Sequence, residues 1–380
     1  MDLKLVLLFV SVFSPSFALQ CKDEDGNDVD WYVVYKLPRE SDEDKQSTLS
    51  GRTGFNYAYI TSNDYKDGQW KISSKTVKDK DSLWGQTLAP AYKDASKYTY
   101  ALWNDAPSKG KESGTKAHSK GVIVMDESTG FYIVHSVPKF VNTFDDSYDY
   151  PDSGRDNGQT SLCISFDTQS EGPKLASHLL LMKPNLFSTN LVGGIPSEST
   201  DFTNLFNPKY RAPKDAPKSL ETEITTLGGT TFRAFSKNPK NLVDLYGAIV
   251  APALEAPLFA ETWRRGAGGI LESDCTLDYT VNNVMGLEIN FDSSSSSGDW
   301  QFITDHSKWA ISSDDSKATY TCVGDVNRMA SQAKRGGGTL CFDNKKVHQA
   351  FRSAIKVIEP CSADANGESH STAVKEGQEI

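Results

Sequence analysis

The phrase His-Ser-Lys occurs twice, as His118-Ser119-Lys120 and His306-Ser307-Lys308, in a chain of 380 residues with only six histidines. Each copy lies in a stretch rich in strand-forming residues. Along an extended strand, residues i and i+2 project from one face. Each triplet therefore presents an imidazole beside an ammonium. The residues after each triplet also rhyme: Gly121 to Met125 and then Asp126, against Trp309 to Ser313 and then Asp314. The repeat predicts two related halves meeting at one site. Cleaving a phosphodiester needs charge on its non-bridging oxygens, a nucleophile in line with the leaving oxygen, and an acid for that oxygen. Two His-Lys pairs supply all three without a metal.

Residues 1–18 read as a secretory leader, with Lys4 as a basic start, Leu5 to Phe13 as an apolar core, and Ser16-Phe17-Ala18 as a small-x-small cleavage site. That run is too short to span a bilayer, and no later stretch is long and apolar enough. The mature chain is expected to be soluble in the secretory pathway, the lysosome or outside the cell. Cys21, Cys163, Cys275, Cys322, Cys341 and Cys361 all follow the cleavage site and include no Cys-x-x-Cys pair. An oxidising compartment favours disulfides, and six cysteines leave fifteen pairings open. The net charge of -10 opposes non-specific nucleic-acid binding at neutral pH, because phosphate binding is driven by positive charge. In an acidic compartment histidines gain charge and some carboxylates lose it.

Trp31 to Leu37 reads as a buried strand, and Gly54 to Thr61 and Tyr98 to Trp103 as further strands. Ser82 to Ser96 and Glu171 to Met182 read as helices, with His178 a packed or exposed helix residue. Asn241 to Leu254 reads as a helix broken near Pro252. The first triplet opens a hairpin: His118 to Met125, the turn Asp126 to Gly130, then Phe131 to Val137. His135 on the return strand is either part of the site or a half-buried histidine. Ser108 to Lys116 is a solvated loop or a basic rim. The acidic, aromatic stretch Phe140 to Gln159 lacks the spacing of a calcium loop and reads as structural. Glu221 to Thr226 and Thr230 to Phe235 flank Gly228-Gly229 as another hairpin. Leu258 to Arg265 ends in Arg264 and Arg265, which decorate a surface or clamp phosphates. Asp292 to Gly298 is a flexible link before the second triplet.

The last quarter carries Gly324-Asp325-Val326-Asn327-Arg328 and Lys334-Arg335-Gly336-Gly337-Gly338, where glycine backbone and cationic side chains together suit an anion. Together with WYVVYKLP after the first cysteine, His-Ser-Lys with His-Ser-Val-Pro downstream, and Asp-His-Ser-Lys-Trp, these motifs resemble the deoxyribonuclease II family over about Cys21 to Cys361. That family includes a starfish venom toxin.

The resemblance implies a phospholipase D-like, mixed α/β (or α+β) fold: two pseudo-symmetric halves, each a mixed sheet flanked by helices, packed as one unit. The halves would span 19–190 and 191–361, followed by a flexible tail, 362–380. The implied activity is a metal-independent acid endonuclease, without cofactor, acting non-specifically on double-stranded DNA as a monomer or homodimer and leaving 3′-phosphate and 5′-hydroxyl ends. His118 would attack phosphorus and His306 would protonate the leaving oxygen. Lys120 and Lys308 would hold the phosphate, with His135 and Asn327 assisting and Arg264, Arg265, Lys334 and Arg335 available to DNA. The implied disulfides are Cys21–Cys163, Cys275–Cys361 and Cys322–Cys341. In the phospholipase D pattern an aspartate follows each His-x-Lys, but Asp126 and Asp314 lie one residue late, and the first half has Lys139 where an asparagine is sought. A lipid phosphodiesterase and a catalytically silent DNA-binding or toxin protein are the other readings.

Overall fold

The computed structural model describes residues 18–40, 49–193, 195, 200–207, 209–291 and 297–361. The leader up to Phe17, the tail and most of the link before the second triplet lie outside the described residues, although Ser297 and Gly298 of that link belong to a strand. The first sheet has β1 (Trp31–Lys36), β2 (Asn56–Thr61), β3 (Lys71–Thr76), β4 (Thr99–Asn104), β5 (Lys120–Met125), β6 (Thr129–His135), β7 (Gln159–Asp167) and β8 (Leu186–Asn190), in the order β8-β4-β5-β6-β7-β1-β2-β3. The second has β9 (Ser219–Thr225), β10 (Thr231–Lys237), β11 (Leu258–Thr262), β12 (Val281–Asn290), β13 (Ser297–Gln301), β14 (Lys308–Ser312), β15 (Tyr320–Gly324) and β16 (Gly337–Asp343), in the order β9-β10-β16-β15-β14-β11-β12-β13, with β17 (Ile355–Ile358) also paired to β12.

Around the strand next to each histidine the order is the same. A strand from earlier in the sequence lies on one side (β4, immediately before β5; β11, with β12 and β13 intervening before β14) and the next two on the other (β6 and β7, β15 and β16). An early strand then joins the last of these (β1, β10).

Among the described residues, the expected mixed sheet is found only in the second sheet. Every pair in the first sheet is antiparallel, and β11–β12 is the parallel pair in the second. Parallel neighbours need a long crossover; residues 263–280 provide one, whereas β5 and β6 are joined by a tight turn. In that turn Asp126 Oδ1 accepts the N–H groups of Ser128 and Thr129, both at 2.8 Å.

Alternation along the strands builds three apolar layers. Trp31, Val33 and Tyr35 of β1 enter a core shared with Trp309, Ile311, Val323 and Phe342 of the other sheet. Tyr32 and Val34 enter a layer on the outer face, covered by α1 (Leu83–Asp94) and by Phe140, Phe144, Tyr148 and Tyr150 of the acidic loop. A third layer lies between the second sheet and Leu245 to Leu254. The two sheets thus pack face to face across one core, with the strands beside the triplets at its centre.

The helix expected over Asn241 to Leu254 begins only at a π-helical turn, Tyr246–Val250, which runs on as Ala251–Leu254. Asp244 stops it earlier, its carboxylate accepting the Gly247 N–H at 2.9 Å. Pro252 does not break it, because the proline sits in the first turn of the α-helical part, where its missing N–H is least needed. The cysteines pair as Cys21–Cys163, Cys275–Cys361 and Cys322–Cys341.

Candidate active site

Both histidines stand just before their strands, so the sheet ladder does not hold them. Each is held instead by a glycine carbonyl of the other half. The His118 N–H donates to Gly336 O at 2.9 Å and the His306 N–H to Gly158 O at 2.8 Å. The serine of each triplet turns into the shared core: Ser119 Oγ accepts from Trp103 Nε1 at 2.9 Å, and Ser307 Oγ bonds Tyr35 OH at 2.9 Å. Asp305, fully buried, accepts from Trp300 Nε1 at 2.7 Å, Tyr35 OH and the Ser307 N–H, locking the second triplet from behind.

On the first side, His118 Nδ1 lies 2.6 Å from the backbone carbonyl of Asp325. A carbonyl only accepts, so Nδ1 carries the proton and Nε2 the lone pair. Nε2 is 3.8 Å from Asp105 Oδ2, whose carboxylate also binds Lys120 Nζ and, at 3.1 Å, the Arg335 guanidinium. Burial opposes the charge on Asp105, but Lys120, His118 and Arg335 outweigh it and hold the carboxyl well below its usual range. Burial and Lys120 hold the His118 imidazole neutral against the pull of Asp105.

On the second side, His306 Nδ1 meets Gln159 Oε1 at 3.1 Å and Lys308 Nζ at 3.2 Å. Gln159 is fixed by Ser136 Oγ, whose serine is the neighbour of His135 in the chain. The Trp263 ring packs at a steep angle on the His306 imidazole, centroids 5.1 Å apart. Burial depresses the basicity of His306 and Lys308, and the cations of both halves add to it: Lys308 and Lys120 on His306, Lys120 on Lys308. The two triplets therefore share one electrostatic site.

His135 lies on the strand neighbouring Lys120, wholly buried. Its Nδ1 accepts the Val137 N–H at 3.2 Å and its Nε2 has no partner among the described residues. Burial and Lys120 push its pKa down to about 3. Asn327 is buried with its amide oxygen unpartnered among the described residues.

The four cations expected to meet DNA separate into two kinds. Arg264 is buried, paired with Glu359 at 3.4 Å and stacked over Phe302. Arg335 spends its donors on Asp105 and on the carbonyls of Ser113, Lys116 and Ala117. Lys334 and Arg265 are exposed, Arg265 lying over the Trp263 ring. His178 is packed between Ser236 Oγ and Thr222 Oγ1, at 2.8 and 2.7 Å.

Asp126 and Asp314 take no part in the site. Each closes a local turn, Asp126 on Ser128 and Thr129, Asp314 on Ser316. The carboxylates of the site are Asp105, Asp305 and Asp325. The triplets give no sign of Asp105 or of Gln159, which belong to other strands and their ends. Asp305 and Asp325 stand inside the Asp-His-Ser-Lys-Trp and Gly-Asp-Val-Asn-Arg motifs and were detectable there as carboxylates beside a cation or a glycine. Among the described residues, no group of three or more His, Cys, Asp and Glu side chains is arranged to hold a metal ion, and no helix is long and apolar enough to cross a membrane.

The family model for deoxyribonuclease II matches residues 20–361. The deoxyribonuclease-2 of Caenorhabditis elegans is 34% identical, with 94% of this chain and 98% of that protein aligned. Plancitoxin-1 of Acanthaster planci is 34% identical over 95% of this chain and 97% of its own. Human deoxyribonuclease-2-beta is 32% identical over 93% and 96%.

Proposed function

The chain belongs to the deoxyribonuclease II family, and from that premise we propose that it cuts double-stranded DNA at acid pH, without a divalent metal, through a phosphohistidine on His118. The observation that carries the assignment is the Asp325 carbonyl on His118 Nδ1, which leaves Nε2 with the lone pair and its proton-free edge toward Lys120 and Asp105.

His118 Nε2 attacks phosphorus while the bond to the 5′ oxygen breaks, and His306 delivers a proton to that oxygen, releasing the 5′-hydroxyl strand. The neutral His306 then takes a proton from water. The water oxygen bonds to phosphorus, the P–N bond breaks, and a 3′-phosphate leaves with both histidines in their starting states. Lys120 and Lys308 hold the non-bridging oxygens and supply the charge that a metal would otherwise bring. Asn327 and His135 assist at the phosphate.

Acid pH follows from the neutrality of His306. Burial, Lys308 and Lys120 disfavour its charged form, so an acidic medium and a phosphate anion between the lysines are both needed to load its proton. The matching strand order and the crossed glycine contacts support a phospholipase D-like pair of halves. The leader-like residues 1–18, three disulfides and the family resemblance support a lysosomal or exported protein.

The test is plasmid cleavage in excess EDTA at about pH 5 and about pH 7.5, spanning the range in which histidine titrates, with His118→Ala and His306→Ala alongside. Cleavage at the acid pH that survives EDTA and is lost in both variants is expected. An intact plasmid at both pH values would turn attention to lipid phosphodiesters or to a fold kept for binding.

A further inference from the structure

Two buried lysines do the same thing in the two halves. Lys36 ends β1 opposite Gln159, and Lys237 ends β10 opposite Gly337. Both side chains turn inward. Lys36 Nζ donates to the carbonyls of Arg155, at 2.8 Å, and Asn157. Lys237 Nζ donates to the carbonyls of Ala333, at 2.9 Å, and Arg335, at 2.6 Å, and also to Asn241 O. In each half the bound carbonyls alternate along the loop, and the next residue after them is the glycine whose own carbonyl holds the opposite histidine: Gly158 for His306, Gly336 for His118.

Neither ammonium has a carboxylate hydrogen-bonded to it among the described residues, and burial holds both below the ordinary lysine range, Lys237 down to about 8. A buried cation is costly unless its donors are satisfied, so a matched pair satisfied only by main-chain carbonyls at equivalent positions is a specific arrangement. The glycines are confined as well. A Cβ on Gly336 would lie 2.0 Å from Met182 O, and one on Gly158 would lie 2.8 Å from the Asp305 carboxylate.

We infer that Lys36 and Lys237 are paired positioning residues, each holding the loop whose glycine carbonyl sets the position of the histidine in the opposite half. Lys36 thereby serves His306, and Lys237 serves His118. The inference rests on the reading that these two histidines carry the reaction.

The two lysines then affect different steps. Lys36→Met and Lys237→Met preserve length and remove the charge and its donors. They would be compared on DNA and on thymidine 3′-(4-nitrophenyl phosphate), whose leaving group needs no proton. Assays would run below the melting temperature of each variant, with circular dichroism confirming the fold. On DNA both variants should lose about tenfold to a hundredfold in kcat with little change in KM, the scale of misplacing a reacting group by up to an ångström. In the first-turnover burst of nitrophenol from the ester, which precedes the water step that also uses His306, Lys36→Met and His306→Ala should recover toward wild type, whereas Lys237→Met and His118→Ala should not.

Equal losses on both substrates, or wild-type kcat in either folded variant, would overturn the inference while leaving the two-histidine reading intact. Undiminished cleavage by His118→Ala or His306→Ala would overturn both. Should a methionine variant not fold, Lys36→Gln and Lys237→Gln keep an uncharged amide N–H2 group and are expected to show the same substrate split in weaker form; its absence would count equally against the pairing.

Discussion

The imidazole of His118 donates its Nδ1 proton to the main-chain carbonyl of Asp325, 2.6 Å away in space and 207 residues away in sequence. The contact uses the backbone, so the Asp325 side chain takes no direct part in it; that side chain is buried beside Ser119 and the Gly338 N–H.

That side chain predicts a pH effect. Burial pushes the Asp325 carboxyl up to about 7, against the lowering influence of Ser119, the Gly338 N–H and Lys120. Below that pH it is neutral and the site keeps its positive charge for phosphate; above it, the new anion offsets Lys120. Asp325→Asn should leave activity at acid pH unchanged and move the alkaline limb of kcat/KM upward, a gain of up to about tenfold near neutrality for each unit of displacement. An alkaline limb that stays where it was would assign it to another group.

Lys334 and Arg335 are neighbours in sequence with different work. Lys334 is exposed, whereas Arg335 is tied to Asp105 at 3.1 Å and to three carbonyls. In a His118→Ala background, Lys334→Ala should lower the salt dependence of duplex binding by about one released counterion. Arg335→Met should leave that slope unchanged and, with His118 restored, lower kcat by at least about tenfold, since breaking a buried pair leaves Asp105 undercompensated. A salt slope altered by Arg335→Met would mean that the guanidinium reaches DNA.

Glu261 is wholly buried on β11, and neither carboxylate oxygen has a hydrogen-bond partner among the described residues. Burial and Asp305 raise its pKa well above 4.5, with Arg264 and Lys308 opposing. The folded chain therefore keeps a proton that the unfolded chain releases once pH exceeds about 4.5, and stability falls as pH rises from there. Glu261→Gln should raise Tm by a few degrees at about pH 7 and leave it unchanged at about pH 4, below the unfolded pKa. Thermal melts at the two pH values check this, and an equal shift at both would mean packing rather than protonation.

Cys322 and Cys341 face each other across β15 and β16, at the base of the segment that brings Asp325 and Gly336 to His118. The paired Cys322→Ser, Cys341→Ser variant should lose about 3 kcal/mol of stability, as expected for a loop of this length. It should also lose activity at temperatures where it remains folded. Full activity in the folded variant would show that strand pairing alone fixes the segment.

The triplets, the hairpin at Asp126 and the buried strand at Trp31 were legible because each is a local pattern: a repeated phrase, a turn chemistry, an alternation that fills both faces of a sheet. What completes the site is not local. Gln159, Gly158 and Gly336 act on residues far along the chain, and Asp105 joins the nearby first triplet to the distant Arg335; their neighbours in sequence carry no trace of that. The aspartates after each triplet, already one residue late for the phospholipase D pattern, are local in the opposite sense, since Asp126 and Asp314 have strong partners in their own turns. Arg264 and Arg335 resemble phosphate clamps in sequence, yet Arg264 is buried against Glu359 and Phe302, and Arg335 is engaged by Asp105 and main-chain carbonyls.

The crossed glycine contacts also bear on when the protein becomes dangerous to its maker. His118 waits for Gly336, near the end of the chain, and His306 rests on Gly158, laid down much earlier. A nascent chain that has emerged as far as its first triplet has an imidazole with nothing to aim it. On the two-histidine reading, cutting power is then the last property the molecule acquires, withheld until synthesis is nearly finished and the two sheets have closed on each other.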